Sequence, residues 1–238
     1  MRLDLFLVQS RNITRNRAQF LLSEGLVWVN GKVVTKASFS IDESEIIVIQ
    51  DDKRVHFVSR SAIKLDSFLD EIKLDVLNMT CLDIGASTGG FTQVLLMRGA
   101  LGITSVDVGT SQLHVSLRSD SRVISQENTD IRDFQPTHPF DLIVGDISFI
   151  SLTKLIDSIL ALASPDTEII LLYKPQFEVG REHLRKTGVP KSDVIVVRKF
   201  AEFQDFLITK GVKIKKISPS TIAGEAGNRE YLMWIWKI

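Results

Sequence analysis

Apolar positions recur along this chain in two textures, and the change falls near residue 54. In the first stretch Leu3, Phe6 and Leu7 repeat at helical spacing, as do Ala18, Leu21 and Leu22. Thr14 predicts the N-cap of the second helix. Gly25 predicts its end, because glycine tolerates the left-handed C′ position. Leu26 to Val29 and Lys32 to Val34 then flank Asn30-Gly31. That dipeptide between β-rich runs is a hairpin signal, since a type I′ turn needs positive φ at both central residues. Ile46 to Ile49 predicts one more strand. After a charged link, Asp51-Asp52-Lys53-Arg54, the apolar runs become continuous. Strands are expected at 80–84, 102–107, 122–125, 141–145, 168–173 and 212–217, with a final apolar run at 230–236. Helical patterns lie between most of them. Such alternation predicts a mostly parallel sheet covered by helices on both faces. The expected division is 1–54 and 55–238: a small α+β unit, then an α/β unit of Rossmann type.

Composition sets limits but does not choose a function. The chain has 238 residues, 44% hydrophobic and 24% charged, enough to bury a sizeable core. No apolar run approaches the ~18 to 20 residues of a membrane span, and the N-terminus is too charged for a secretory signal. A single cysteine, Cys81, excludes an internal disulfide. A cytoplasmic monomer is the expectation. The net charge is zero, from 29 basic and 29 acidic residues. Its distribution matters more than its total. Residues 1–40 hold Arg2, Arg11, Arg15, Arg17, Lys32 and Lys36 against Asp4 and Glu24, which is +4, and the remainder is therefore −4. A head that reverses sign against its body reads as a separate module for a polyanion.

The head resembles the S4 RNA-binding domain. The residues are Arg2-Leu3-Asp4, Leu7-Val8, Ser10-Arg11, Arg15, Ala18, Leu22, Gly25 to Gly31 and Lys36-Ala37-Ser38. The resemblance implies that Arg15, Arg17 and Lys32 face RNA, and Arg2 belongs with them. Such cations neutralise phosphates and release counterions. For each arginine singly, a solvated helix face is an equal reading.

In the body, Asp83-Ile-Gly85-Ala86-Ser87-Thr88-Gly89-Gly90-Phe91 follows a strand and precedes a helix. Ligands of such folds sit beyond the carboxyl ends of the strands. The turn lacks the lysine with which a P-loop reaches phosphates. Asp107 ends the next strand, where an acid can hold ribose hydroxyls. Together Asp83, the turn and Asp107 favour S-adenosylmethionine over NAD as cofactor.

Longer stretches of the body are similar to the TlyA family. They are Val58 to Leu65, Leu82 to Thr92, Val106 to Gly109 with Gln112-Leu113, Glu127 to Arg132, Gly145 to Leu152, Lys174 to Arg181 and Gly227 to Tyr231. That family joins an S4 domain to an FtsJ-like ribosomal RNA 2′-O-methyltransferase. The resemblance implies S-adenosylmethionine as methyl donor and cytidines of ribosomal RNA as substrate. It implies that Asp107, with Val108, holds the cofactor ribose and that Asp130 and Ile131 meet its adenine. It implies a Lys-Asp-Lys-Glu tetrad at Lys64, Asp146, Lys174 and Glu230. By pattern alone, Lys64 reads as a solvated helix residue and Glu230 as a partner of Arg229. A 2′-hydroxyl is a weak nucleophile until its proton leaves. Lys174 either accepts that proton as a neutral amine or positions the hydroxyl and stabilises developing negative charge. Asp146 and Glu230 would orient the lysines.

Phe149 and Phe177 have the chemistry to stack on a base, with core packing the expectation for each. Residues 178–193 read as a polar, mobile loop in which Arg181, Arg185 and Lys186 are candidates to grip RNA, with a solvated loop an equal reading, and Arg60 is a further RNA candidate. The histidines show no ligand spacing, so no metal site is expected. The chain resembles the shorter type of the TlyA family, and this resemblance implies the large-subunit 23S rRNA as target. Two alternatives stay open: an RNA base methyltransferase and a non-enzymatic haemolysin-like protein. The second is disfavoured by the lack of any long apolar span.

Overall fold

The computed structural model describes residues 1–42, 44–224 and 226–238. The chain forms two compact units, Met1–Arg60 and Ser61–Ile238.

The first unit begins with α1 (Leu3–Arg11) and α2 (Arg15–Ser23). Thr14 Oγ1 accepts from Arg17 N at 3.2 Å and so caps α2. A three-stranded antiparallel sheet follows, of β1 (Val27–Val29), β2 (Lys32–Val33) and β3 (Ile47–Ile49), with β1 in the centre. Asn30 and Gly31 take φ of 50° and 77°, and Val29 pairs Lys32 across them. The two-residue turn therefore has the conformation that the Asn-Gly pair favours. Leu3, Leu7, Ala18, Leu22, Leu26 and Val27 are fully buried between helices and sheet.

The second unit opens with α3 (Ser61–Ile72). It continues with β4 (Thr80–Ile84), α4 (Gly90–Met97), β5 (Gly102–Val106), α5 (Val115–Arg118), β6 (Val123–Gln126) and β7 (Leu142–Gly145). It closes with α6 (Ile156–Ala161), β8 (Glu168–Tyr173), α7 (Pro175–Glu178), α8 (Asp193–Thr209), β9 (Val212–Pro219) and β10 (Tyr231–Lys237). Seven strands form one sheet in the order β6-β5-β4-β7-β8-β10-β9. The first five are parallel, and β10 runs antiparallel between β8 and β9.

Alternation along the strands divides the two faces. Leu82, Ile84, Ile143, Ile169, Leu171 and Ile235 join Ile156 and Ile159 of α6 and Phe203 and Leu207 of α8 in one core. The positions between them look the other way. Asp83, for example, accepts from Thr92 of α4. Both faces are thus covered, which fits the continuously apolar strands.

Candidate active site

The carboxyl ends of β4, β5 and β7 lie side by side, and the order of connections reverses between β4 and β7. This is where ligands bind in open parallel sheets. A cavity of about 460 Å³ occupies the place. Its lining includes Gly85, Ser87, Asp107, Val108, Gly109, Gln112, Asp130, Ile131, Asp146, Ser148 and Phe149.

The wall is fixed by carboxylates that accept from backbone. Asp107 takes Ser87 N at 2.8 Å on one oxygen and Gly109 N at 2.7 Å on the other. Glu127, at the end of β6, takes the backbone N–H groups of Ser111, Gln112 and Leu113 at 2.6–3.0 Å. Asp130 accepts from both Nε and Nη2 of Arg132, whose hydrogen bonds hold its carboxyl down to about 2. Of the predicted cofactor residues, Gly85, Ser87, Asp107, Val108, Asp130 and Ile131 line the cavity. Asp83 lies fully buried, and Thr92 donates to its Oδ2 from backbone N at 2.9 Å and from Oγ1 at 2.6 Å. Burial pushes it up to about 7.

Ala86, Thr88, Gly89, Gly90 and Phe91 do not line the cavity. Phe91 is core. Gly89 has φ of 95°, and a Cβ there would meet Leu117 Cδ1 at 2.3 Å and Leu113 Cδ1 at 2.7 Å. Its smallness therefore serves the packing of α5 against the turn. Gln112, Thr129, Ser148 and Ile150 line the cavity without having been singled out as cofactor residues. Only their neighbours Asp107, Asp130 and Asp146 carried a readable signal.

The four candidate catalytic residues form two ion pairs. Lys174 follows β8, and its Nζ lies 2.6 Å from Asp146 Oδ1, a close ion pair rather than an aligned hydrogen bond. The same Nζ donates to Ser148 Oγ at 2.6 Å and to the Asp146 carbonyl oxygen at 3.3 Å. Two hydrogen bonds and one ion pair thus fix the Lys174 amine beside Asp146. On α3, Lys64 Nζ donates to Glu230 Oε2 at 2.5 Å. Lys64 is therefore buried rather than solvated, and Glu230 pairs with it rather than with Arg229. The antiparallel pairing of Tyr231 with Tyr173 brings Glu230 beside Lys174. Gln176 joins the pairs, donating from Nε2 to Glu230 Oε1 at 2.9 Å. A Cβ on Gly224 would come within 2.4 Å of that oxygen, so Gly224 leaves the room that Glu230 occupies. Arg98, just past α4, holds α3 in place through Asp66 at 2.5 Å and Asp70 at 2.6 Å.

Phe149 departs from expectation. Its side chain is not core: the residue is 92% exposed, at φ of 68°, with its ring 5.5 Å from that of Phe177. Bulky residues rarely adopt such φ, and they cluster at functional sites when they do. Residues 178–193 begin with a half-buried carboxylate, that of Glu178, and turn back through a Leu184–Pro190 bridge. Arg181 is exposed there.

In the first unit, Arg2, Arg15 and Lys32 are exposed. Asp4, fully buried, gathers Arg2 at 2.9 Å and Arg15 at 3.3 Å, and the Arg2 guanidinium holds its carboxyl below the usual range. Arg17 corrects the expectation. Its guanidinium turns inward and donates to the carbonyls of Phe57 and Val55, over the Phe20 ring at 4.9 Å. Those acceptors lie 38 and 40 positions away, and half-burial makes the group a structural clamp. Arg60 is half-buried at the last position of the unit. Among the described residues no His, Cys, Asp and Glu cluster could hold a metal ion, and no helix is long and apolar enough to cross a membrane.

A seven-stranded sheet of this order, with such a cavity and a Lys-Asp-Lys-Glu set beside it, defines a methyltransferase of the FtsJ-like class. The FtsJ-like methyltransferase family matches residues 57–237, and the S4 domain matches residues 1–47. The "23S rRNA (cytidine-2′-O)-methyltransferase TlyA" of Campylobacter jejuni is 41% identical over the whole of both chains. The "16S/23S rRNA (cytidine-2′-O)-methyltransferase TlyA" of Mycobacterium tuberculosis is 36% identical, over 98% of this chain and 89% of that one. The solved structure of a protein named as a hemolysin, from Streptococcus thermophilus, superposes with a TM-score of 0.76. It is 33% identical, over 100% of this chain and 88% of that one. The chain belongs to the TlyA family.

Proposed function

We propose that this enzyme methylates the ribose 2′-hydroxyl of a cytidine in ribosomal RNA, with 23S rRNA as the principal target and S-adenosylmethionine as donor. The observation that carries the reading is the Lys174–Asp146 ion pair at the lip of the cavity: Asp146 both lines the cavity and binds the lysine. One group thereby links the cofactor space to a cation that can hold an alcohol.

The cavity suits the donor. Its volume falls within the range of about 300–1,000 Å³ usual for cofactor sites. Asp107 would hold the ribose and Asp130 with Ile131 the adenine, while Gly85 and Ser87 admit the rest. No lysine stands in the glycine turn to favour a polyphosphate. When bound, the donor supplies an electrophilic methyl on a positively charged sulfur. The chain's own part is to place the oxygen. Lys174, with its Nζ hydrogen-bonded to Ser148 Oγ and the Asp146 carbonyl and paired with the Asp146 carboxylate, positions the 2′-oxygen and stabilises the negative charge developing on it. Asp146 keeps that ammonium at the lip of the cavity. Lys64, Glu230 and Gln176 form the frame behind it. Phe149, exposed beside Phe177, offers a ring on which a flipped base stacks.

The first unit grips the RNA through Arg2, Arg15 and Lys32, and Arg181 adds a contact from the second. A ribosomal RNA substrate places the enzyme in the cytoplasm. The relatives named for 23S and for 16S/23S rRNA support the substrate class. The test is transfer of labelled methyl from S-adenosylmethionine to unmodified large and small ribosomal subunits, with the nucleotide mapped. Resistance of the next phosphodiester to alkali identifies a 2′-O-methyl group. No transfer to either subunit or to free rRNA would overturn the proposal.

A further inference from the structure

Glu178 is a half-buried carboxylate beside the catalytic set that the chemistry above does not use. It ends α7, four positions after Lys174. Its Oε2 accepts from Ser151 Oγ at 2.5 Å and its Oε1 from Leu152 N at 2.7 Å. The stretch from Lys174 to Glu178 thus sends each polar or aromatic side chain to a different part of the site. Lys174 reaches Asp146 and Ser148, Gln176 reaches Glu230, Phe177 meets Phe149, and Glu178 takes Ser151 and Leu152. The segment 146–152 is therefore held at both ends against α7. Between the two anchors stands Phe149 at φ of 68°, a conformation that persists only where its surroundings enforce it.

We propose that Glu178 is a positioning residue: through Ser151 and Leu152 it fixes the segment that carries Asp146, Ser148 and Phe149 in register with Lys174. The proposal rests on the reading that Lys174 and Phe149 handle a nucleotide. Remove the far anchor and the strained segment relaxes, so the acceptors of Lys174 and the ring of Phe149 shift together. Misplacement of about 1 Å costs reacting groups up to about 100-fold in rate.

The experiment compares Glu178→Ala, Glu178→Gln and Ser151→Ala. Methyl transfer to unmodified large subunits is measured at saturating S-adenosylmethionine, alongside S-adenosylhomocysteine affinity and thermal unfolding. In Glu178→Ala, kcat is expected to fall about 10- to 100-fold, with a much smaller change in cofactor affinity. Glu178→Gln should recover most of the loss. Its amide oxygen accepts from Leu152 N, and its amide nitrogen donates to Ser151 Oγ. Ser151→Ala should lower kcat by itself and add nothing to Glu178→Ala. The clamp is overturned if Glu178→Ala stays within about twofold of wild-type kcat. It is also overturned if kcat, affinity and melting point fall together and glutamine restores none of them. Should Glu178→Ala not fold, wild-type kcat in Ser151→Ala overturns it equally. An inactive wild type removes the reading beneath the proposal; an active wild type with an unaffected Glu178→Ala removes the proposal alone.

Discussion

Lys64 Nζ stands 2.5 Å from Glu230 Oε2 across 166 positions of sequence, with only 7% and 3% of the two residues exposed. Breaking such a pair from one side leaves a buried charge without its partner, at about 3–5 kcal/mol. Glu230→Ala and Lys64→Ala are each expected to lose stability on that scale in urea unfolding. The double change Lys64→Met with Glu230→Leu should regain most of it, since apolar pairs of similar volume replace buried ion pairs well. The double variant is expected to fold and transfer no methyl groups. Unfolding curves that place it below both single variants would refute the argument.

Lys174 is expected to bear on rate rather than on cofactor affinity. Its Nζ contacts are Asp146 and Ser148, and it is absent from the cavity lining. Lys174→Ala should reduce methyl transfer by at least about 100-fold while S-adenosylhomocysteine binding stays within about twofold. Calorimetric titration beside single-turnover transfer separates the two. A variant that keeps its rate and loses its affinity would move Lys174 from the reaction to the cofactor.

Phe149 separates function from stability in the opposite sense to a core residue. A 92%-exposed ring buries little, and its positive φ costs about 1–3 kcal/mol, which glycine relieves. Phe149→Gly is expected to melt at or above the wild-type temperature and to methylate far more slowly. A fall in melting temperature would show that the ring is packing after all.

The strands, the Asn-Gly hairpin and the glycine turn were legible because each rests on a local signal: an apolar run, a required φ, a cap. The tetrad was legible only through family motifs. By pattern alone Lys64 reads as a solvated helix residue, because the partner it meets in its buried place, Glu230, lies 166 positions away in sequence. Arg17, and Glu178 at the head of the stretch expected to be a mobile loop, depart from expectation for a related reason. A guanidinium or a carboxylate is exposed or committed according to partners tens of residues away, and periodicity carries no record of them. Gly89 shows the converse: its need for a small residue was visible, but the neighbours that require it, Leu113 and Leu117, were not.

Asp83 gives stability a pH dependence with a definite sign. Burial raises its carboxyl to about 7 from 3.8, against the two hydrogen bonds from Thr92 that pull it down. The folded state therefore holds a proton that the unfolded state has released across the window between those values. Stability from this group falls as pH rises through the window and is level above it. Asp83→Asn keeps the acceptor for Thr92 and removes the titration. Relative to wild type, its melting temperature should rise between about pH 5 and about pH 8. A constant difference across that range would mean that Asp83 ionises at its ordinary value.

Arg15 and Arg17 lie two positions apart on α2 and should fail in different experiments. Arg15 is exposed and pairs with Asp4, which keeps Arg2 when Arg15 is removed. Arg15→Ala should leave melting nearly unchanged and reduce the slope of log affinity for ribosomal RNA against log salt by about 1. Arg17 donates to the carbonyls of Val55 and Phe57. Arg17→Ala leaves those acceptors half-buried and unpaired, at about 1–3 kcal/mol, and should lower melting while the salt slope stays put. Electrophoretic binding curves at several salt concentrations, read beside thermal unfolding, distinguish the two arginines. If Arg17→Ala flattens the slope as much as Arg15→Ala, the clamp assigned to Arg17 is wrong and its charge faces the RNA.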